Sequence, residues 1–559
     1  MMFVGLLCFL LLTIVSSTPL GNGDSLSGIW PRCQGATADG SVAVEVTADF
    51  AFKSASTSPR LLRAFTRYES IIREQRTLWS HSPTPKTVPL DTLIVKVPAS
   101  LSKWPRLGDD ESFELVVDGS AHLSARSFSG VIRGLEAFSQ LTIRLGSKIV
   151  INSTRTKMAC EPVFEYRGVM IDTARHFETV KEIKTLLDAM SYSGLNVLHW
   201  HLTDAQSFPW NSTAEPSLIK GAYRPDLVYQ RADLKEVVAY AADRAIRVIP
   251  ELDMPGHAGS LAAGRPDVVI QCGGDVDDPL YDGTFELMSQ LDPSQEATYE
   301  LLDSLIGELS EIFPDEYVHI GGDEVQISCY NSSASLKEWM VTRGWDTSCP
   351  PHEEGSSSQC GGQGGLGYNE VIAYFIKRVQ TILKKHSKQP CGWQEVWDHY
   401  GNTTTTPTPP IQGLASETVV YEWLSPEWGW SSPQTVTDAG WRVVSTLGLY
   451  LSSDADNAHW QDLIAQTHPL SSKTTDHAAP GYFNVTNNLL LGAEACLWGE
   501  QTGYGNMNLR LWPRAAAMAE ALWSGPTTDL DEVEPRLLRH SCRLAQRGVP
   551  VTPLQPGFC

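Results

Sequence analysis

From residue 164 onward the chain repeats one pattern: a short apolar run of strand length, then a longer stretch with apolar residues at helical spacing. The runs fall at 168–171, 196–199, 247–251, 317–320, 391–395, 418–422, 442–445 and 490–493, with helical stretches such as 180–193 and 234–244 between them. Eight β-α alternations over so long a segment predict an α/β fold, a (β/α)8 TIM barrel, with a doubly wound open sheet as the structural alternative. The preceding segment has a different rhythm. Residues 42–52, 91–97 and 112–118 alternate like strands, and the last turns on Asp118-Gly119. Residues 61–78 read as a helix, and 130–145 begin as an amphipathic one. The predicted organisation is a small α+β domain over 18–165 followed by the barrel domain over 166–559, with long loops at 348–366 and 402–410.

Barrels of this kind place chemistry at the C-terminal ends of their strands. Reading just past each run gives Asp172 and Arg175; His199, His201 and Asp204; Glu251, Asp253 and His257; Asp323 and Glu324; Trp393 and Glu395; Trp423; Tyr450; and Glu494, Trp498 and Glu500. The stretch DEYVHIGGDEV at 315–325 stands out. Gly321 and Gly322 break the pleat after a short buried strand, so Asp323 and Glu324 can lean into one cavity. Adjacent acids there suggest general acid/base work; the competing reading is the N-cap of a helix.

Composition narrows the partner. A formal charge of −22 leaves no basic surplus for nucleic acid. The chain has 17 tryptophans, and rim aromatics beside acids and an arginine suit a carbohydrate, whose C–H faces pack on rings. Trp30, Trp104 and Trp512 read as packing. His199 and His201 lie two apart on a strand, the layout of a metal pair, so a metal-dependent barrel hydrolase is the runner-up; the alternative for His199 is packing below the rim.

Residues 2–15 are almost wholly apolar and are followed by small residues, which predicts a signal peptide over 1–17 and routing to the secretory pathway, with a signal anchor as the alternative because no Lys or Arg precedes the run. No other run is long and apolar enough to predict a membrane span. Asn152, Asn211, Asn331, Asn402 and Asn484 open glycosylation sequons. Of eleven cysteines, the disulfide candidates are Cys272 with Cys329, Cys349 with Cys360, and Cys542 with Cys559; Cys33 and Cys160 have no assigned partner. Cys391 and Cys496, in apolar runs, read as buried thiols.

RGVMIDTARHF at 167–177, NVLHWHLTD at 196–204, PELDMPGH at 250–257, HIGGDEV at 319–325, WQEV at 393–396, EACLWGE at 494–500 and RLWPRAAAMAE at 510–520 together resemble the β-N-acetylhexosaminidases of glycoside hydrolase family 20. GVIRGLEAFSQL resembles that family's non-catalytic N-terminal domain, and the C-terminal RLLRHSCRLAQRGVPVTPLQPGFC resembles its lysosomal and vacuolar members. The resemblance implies a retaining exo-hydrolase acting on terminal β-linked GlcNAc or GalNAc, with the substrate's own acetamido oxygen as nucleophile and an oxazolinium intermediate. It implies that Glu324 is the general acid and then the base, and that Asp323 orients the acetamido group and stabilises its charge. Tyr450 would donate to the acetamido oxygen. Trp393, Trp423 and Trp498 would wall the pocket, Arg175 and Glu500 would hold hydroxyls, and Asp204 and His257 would support Glu324. The resemblance calls for a glycan substrate, no metal and no cofactor. It leaves a homodimer open, and a lysosome, vacuole or extracellular space as the destination. Ser452 stands where family members often carry Asp or Asn against the sugar's 4- and 6-hydroxyls, and Asp454 is placed to take over that contact. Beside the enzyme stands a third reading, a sugar-binding protein that has lost catalysis. Adjacent Cα atoms lie only about 3.8 Å apart, leaving little room for a water between the two acids, and a carboxylate beside another is expected to have a raised pKa that suits Glu324 as an acid.

Overall fold

The computed structural model describes residues 26–39, 42–75, 86–98, 100–272, 289–348, 366–401, 414–426, 429–452, 459–466, 488–525, 527, 529–557 and 559. The apolar segment at 2–15, the pair Cys349 and Cys360, and Asn402, Asp454 and Asn484 lie outside these residues.

The N-terminal unit is one mixed sheet. Its strands are β1 (Thr37–Asp39), β2 (Ala43–Ser54), β3 (Thr87–Lys96), β4 (Phe113–Asp118), β5 (Ala121–Ala125), β6 (Thr142–Leu145), β7 (Lys148–Ile151) and β8 (Arg155–Cys160), in the order β1-β8-β4-β5-β3-β2-β7-β6. The expected hairpin between β4 and β5 turns at Gly119, whose φ of 77° suits a residue without a Cβ. Two helices pack on the sheet, α1 (Pro59–Arg73) and α2 (Phe128–Leu141). Helix α2 starts where Ser127 Oγ accepts from Gly130 N–H, a side-chain N-cap. It stops at Leu141, four residues short of the expected end, because 142–145 pair with β7 as a strand.

The second unit is a closed, all-parallel barrel. Its strands are β9 (Tyr166–Asp172), β10 (Val197–Thr203) and β11 (Arg247–Leu252); after a small pair, β12 (Val269–Ile270) and β13 (Gln290–Leu291), come β14 (Tyr317–His319), β15 (Gln389–Trp393), β16 (Val419–Glu422), β17 (Arg442–Ser445) and β18 (Leu490–Leu497). Pairing of β18 with β9 closes the ring, in register from Gly492–Tyr166 to Leu497–Ile171. Helices α3 (Val180–Ser193), α4 (Arg231–Ala242) and α5 (Glu296–Ile312) cover the outside of the first half. Helix α3 ends at Gly194, whose φ of 84° is a left-handed C-cap.

Strand ends depart from the apolar runs in an instructive way. β10 continues to Thr203 and β18 to Leu497, each four residues past the run that predicted it. The barrel axis here is polar, so hydrophobic patterning stops before the strand does. His199, Glu251 and Glu494, read as rim residues, therefore lie inside the barrel and are fully buried. β15 instead ends at Trp393, and Glu395 opens a helix, Glu395–Gly401.

The two units are joined by a buried ion cluster. Glu111 accepts from Arg167 Nη2 (2.7 Å), Arg133 Nε (2.7 Å) and Asn196 Nδ2 (2.7 Å). A desolvated charge of this kind is tolerated only when paired, and here two guanidiniums hold the Glu111 carboxyl below its usual range against the opposing effect of burial. Disulfides link Cys33 to Cys160, Cys272 to Cys329 and Cys542 to Cys559, while Cys391 and Cys496 are buried free thiols. Trp30 and Trp512 are buried and Trp104 packs against the core. Asn152 is exposed; Asn211 donates its amide to Gln230, and Asn331 accepts from Tyr368. No helix among the described residues is long and apolar enough to cross a membrane.

Candidate active site

β14 has three residues, and the loop after it builds the site. Gly321 and Gly322 take φ of 64° and 96°. A Cβ on Gly321 would fall 1.6 Å from Asp253 Oδ1, and one on Gly322 2.4 Å from Val396 Cγ1. Only glycine lets the chain turn this tightly against both neighbours. Asp323 and Glu324 come next, in a loop; the helix beyond it, Ile327–Ser332, starts after Gln326, so neither acid caps it. Glu324 has a φ of 48°, an uncommon conformation for a residue with a side chain. Its carboxylate is 55% exposed, while that of Asp323 is 10% exposed.

His257, with a φ of 53°, reaches both acids. Its Nε2 is 3.4 Å from Glu324 Oε2 and 3.7 Å from Asp323 Oδ2, and its Nδ1 is 3.1 Å from Asp204 Oδ1. Asp204 is buried and also meets Arg175 Nη2 (2.8 Å) and His201 Nε2 (2.8 Å). Burial opposes its ionisation, but Arg175 and His257 hold its carboxyl well below the usual range. The same balance acts on His257: burial disfavours its charge, and Asp204, Asp253 and Asp323 outweigh that, so its pKa lies well above normal. Arg175 is fixed further by Gln206 Oε1 (3.0 Å from Nε) and Asp172 Oδ2 (3.2 Å from Nη1). Asp172 accepts from Gly499 N–H as well, tying the first strand's loop to the last (2.9 Å).

The aromatic residues close the cavity from the opposite half of the barrel. Trp393 is 1% exposed, its Nε1 donating to Glu251 Oε1 (2.9 Å). Trp498 packs on it with ring centroids 5.6 Å apart, and the Arg175 guanidinium lies over Trp498 at 5.1 Å. Trp423 is half-buried, its indole donating to Glu395 Oε2 (2.9 Å), and Gln394 Oε1 accepts from the Trp423 and Leu424 amides. Tyr450, five residues past the end of β17, forms an isolated bridge to Cys496 of β18; burial chiefly, with Cys496, Asp323 and Glu395 adding, raises its phenol well above the usual range. Glu500 is exposed, and its charge acts on Arg175. Ser452 Oγ accepts from the Trp498 amide (2.8 Å).

The expected protonation is reversed. Burial, with Glu251 and Glu324 adding, pushes Asp323 up to about 6. Glu324 is instead lowered, first because His257 donates a hydrogen bond to it. Glu395, buried beside both acids, is pushed up to about 8.

Beneath the rim, the barrel axis holds a histidine–carboxylate network. Glu251 accepts from His201 Nδ1 and Trp393 and faces His319 Nδ1 (3.0 Å); Glu494 faces His199 Nδ1 (2.8 Å) and accepts from Tyr166. Burial alone would suppress charge here, yet Glu494 and Glu251 push His199 up to about 9, and three imidazoles hold Glu251 well below normal. His199, Glu251 and His319 come within 4.8 Å of one another through potential ligand atoms. Both histidines face carboxylates through Nδ1, and their Nε2 atoms are buried with no hydrogen-bond partner. Sequence patterning overlooked Gln206 and Gln394: an amide in a loop carries no periodic or charge signal.

A family model described as the catalytic domain of glycosyl hydrolase family 20 matches residues 164–526. The chain belongs to glycosyl hydrolase family 20. A second model, described as beta-acetyl hexosaminidase like, matches residues 29–141. The beta subunit of beta-hexosaminidase from Mus musculus is 34% identical, covering 84% of this chain and 80% of its own. The Homo sapiens beta subunit is 33% identical over 89% of this chain and 82% of its own. Among solved structures, the Flavobacterium johnsoniae chitobiase superposes with a TM-score of 0.71 at 25% identity, covering 93% of this chain and 73% of that one. This family 20 member is a glycosidase of the β-N-acetylhexosaminidase type.

Proposed function

We propose that the protein removes terminal, non-reducing β-linked GlcNAc or GalNAc from glycans with retention, using the substrate's 2-acetamido oxygen as the nucleophile. The observation that carries this reading is that one atom, His257 Nε2, touches both acids, within 3.7 Å. The two carboxylates are thus gathered round one imidazole. An inverting pair needs a water on the far face, with its carboxyls about 6.5–9.5 Å apart across the ring.

In this reading Glu324 protonates the leaving oxygen and then takes a proton from water, while Asp323 accepts from the acetamido N–H and balances the positive charge of the oxazolinium. Before substrate arrives the shared proton belongs on Asp323. A bound sugar covers the exposed Glu324 and desolvates it, while its N–H favours anionic Asp323; both effects move the proton to Glu324, where the acid needs it. Tyr450 donates to the acetamido oxygen, Trp393, Trp423 and Trp498 enclose the group, and Arg175 with Glu500 holds hydroxyls at the closed end. The reaction needs no cofactor. Ser452, engaged by the Trp498 amide, brings no charge to the sugar, so discrimination between GlcNAc and GalNAc is expected to be weak. Residues 18–165 serve as a non-catalytic support and 166–559 as the catalytic barrel, routed through the secretory pathway after loss of 1–17. The pairing of Cys349 with Cys360 and glycosylation at the five sequons belong to the same reading. Light scattering on the purified chain would read the homodimer.

The test is hydrolysis of an aryl β-N-acetylglucosaminide beside the galactosaminide and the plain glucoside. Cleavage of both N-acetyl sugars and not the glucoside is expected. Equal cleavage of the glucoside, which has no internal nucleophile, would overturn the mechanism. Asp323→Asn is expected to lower kcat by roughly 10²–10³-fold, since it removes charge opposite the developing cation.

A further inference from the structure

Asp253, just past β11, takes no part in these proton transfers, yet it is buried against the catalytic loop. Its Oδ1 presses on Gly321, the reason no larger residue fits there, and accepts from Gly322 N–H at 3.3 Å. Its Oδ2 is buried with no hydrogen-bond partner, and so is Asp323 Oδ1. Carboxylate oxygens of Asp253 and Asp323 and a ring nitrogen of His257 lie within 4.8 Å of one another. Two buried carboxylates this near, each with an oxygen that has no hydrogen-bond partner, cannot both be anionic without large cost, and a proton on one of them removes the repulsion.

We propose that Asp253 is a positioning residue that remains a neutral carboxylic acid and donates its O–H to Asp323, so that once Asp323 has passed its own proton on the two carboxyls work as one mono-anionic unit. The inference rests on the hexosaminidase reading of Asp323. It adds a reason why Asp323 keeps a fixed orientation in the empty site: one oxygen is held from below, leaving the other side of the carboxylate for the acetamido N–H. The charged groups facing the pair set its balance. Burial, then Asp323 and Glu251, push Asp253 well above the usual carboxyl range, against His257 and His201. Glu251 and Glu324 oppose a second negative charge on Asp323, and His257 and His201 favour it. A pair this close titrates as a unit, with the first proton leaving near Asp323's value of about 6 and the second well above it.

Two variants give opposite signs. In the wild type kcat/KM should fall as pH rises through about 6, when the Asp323–Glu324 pair loses its one proton. Asp253→Asn keeps a neutral donor, so that limb should move by less than about half a pH unit. Asp253→Leu removes the donor and leaves Asp323's anion unsupported, so the limb should move up by about one unit. Were Asp253 anionic, both substitutions would delete a neighbouring negative charge and move the limb down; that result overturns the proposal. Infrared difference spectra need no turnover. Wild type at pH 7 should show, beyond the band of protonated Glu395, a protonated-carboxyl C=O band that is missing in Asp253→Asn, and identical spectra would overturn the proposal whether or not Asp253→Leu folds. If the wild type proves inactive on N-acetyl sugars while the band is present, the hexosaminidase reading fails and the protonated Asp253 stands.

Discussion

The inner face of the N-terminal sheet meets α2 through Leu93, Leu115, Leu123, Val131, Leu135 and Phe138, all buried and apolar. The barrel axis carries His199, His201, His319, Glu251 and Glu494 in an equally buried setting. Both interiors are packed, but the first is held by loss of apolar surface to water and the second by mutual neutralisation of charges. An apolar core tolerates changes of shape if volume is kept. A buried ionic network tolerates loss of a partner poorly, and in return fixes the side chains above it, here Asp204 through His201 and Trp393 through Glu251.

The contrast can be broken at several points. Glu324→Gln, on the exposed rim, should lose roughly 10²–10⁴-fold in kcat, because proton transfer is a transition-state term, with Tm unchanged; steady-state kinetics and a thermal melt read both. Glu251→Gln should cost about 3–5 kcal/mol by leaving buried imidazolium groups uncompensated, and should also lower kcat through Asp204 and Trp393; denaturant unfolding beside kinetics would show the two losses together. Leu135→Ala in the N-terminal core should cost a similar ~2–5 kcal/mol with kcat unaltered, and a comparable fall in kcat would erase the distinction between the interiors. The smallest effect is one of pH. His199, pushed up to about 9 in the folded barrel, contributes stability that is fully present below its unfolded value of 6.5 and is lost as pH rises toward about 9. Calorimetry at pH 6 and pH 9 should show Tm falling by a few degrees, about 2–4 °C per kcal/mol lost.

Individual residues show how far the sequence reached. The eight apolar runs predicted the barrel, because strands buried on both faces read as unbroken hydrophobic stretches. Glycines after β14 signalled a loop carrying two acids, and that loop is where the structure has them. Patterning failed where the strand interior is polar: β10, β11 and β18 hold His199, Glu251 and Glu494 within the strand, and a period-two apolar pattern cannot register an ionisable residue that points inward.

The sequence by itself determined the fold class and the family and set Asp323 beside Glu324, since those rest on local periodicity and on motifs contiguous in the chain. Tertiary structure alone decided that the two acids are shifted in opposite directions. Asp323 and Glu324 are neighbours with the same chemistry, but one is folded under against Asp253 while the other faces solvent and His257. Desolvation and partner charges depend on what the rest of the barrel brings to within a few ångströms, and residues as far apart as Asp204, Asp253 and Glu395 supply them.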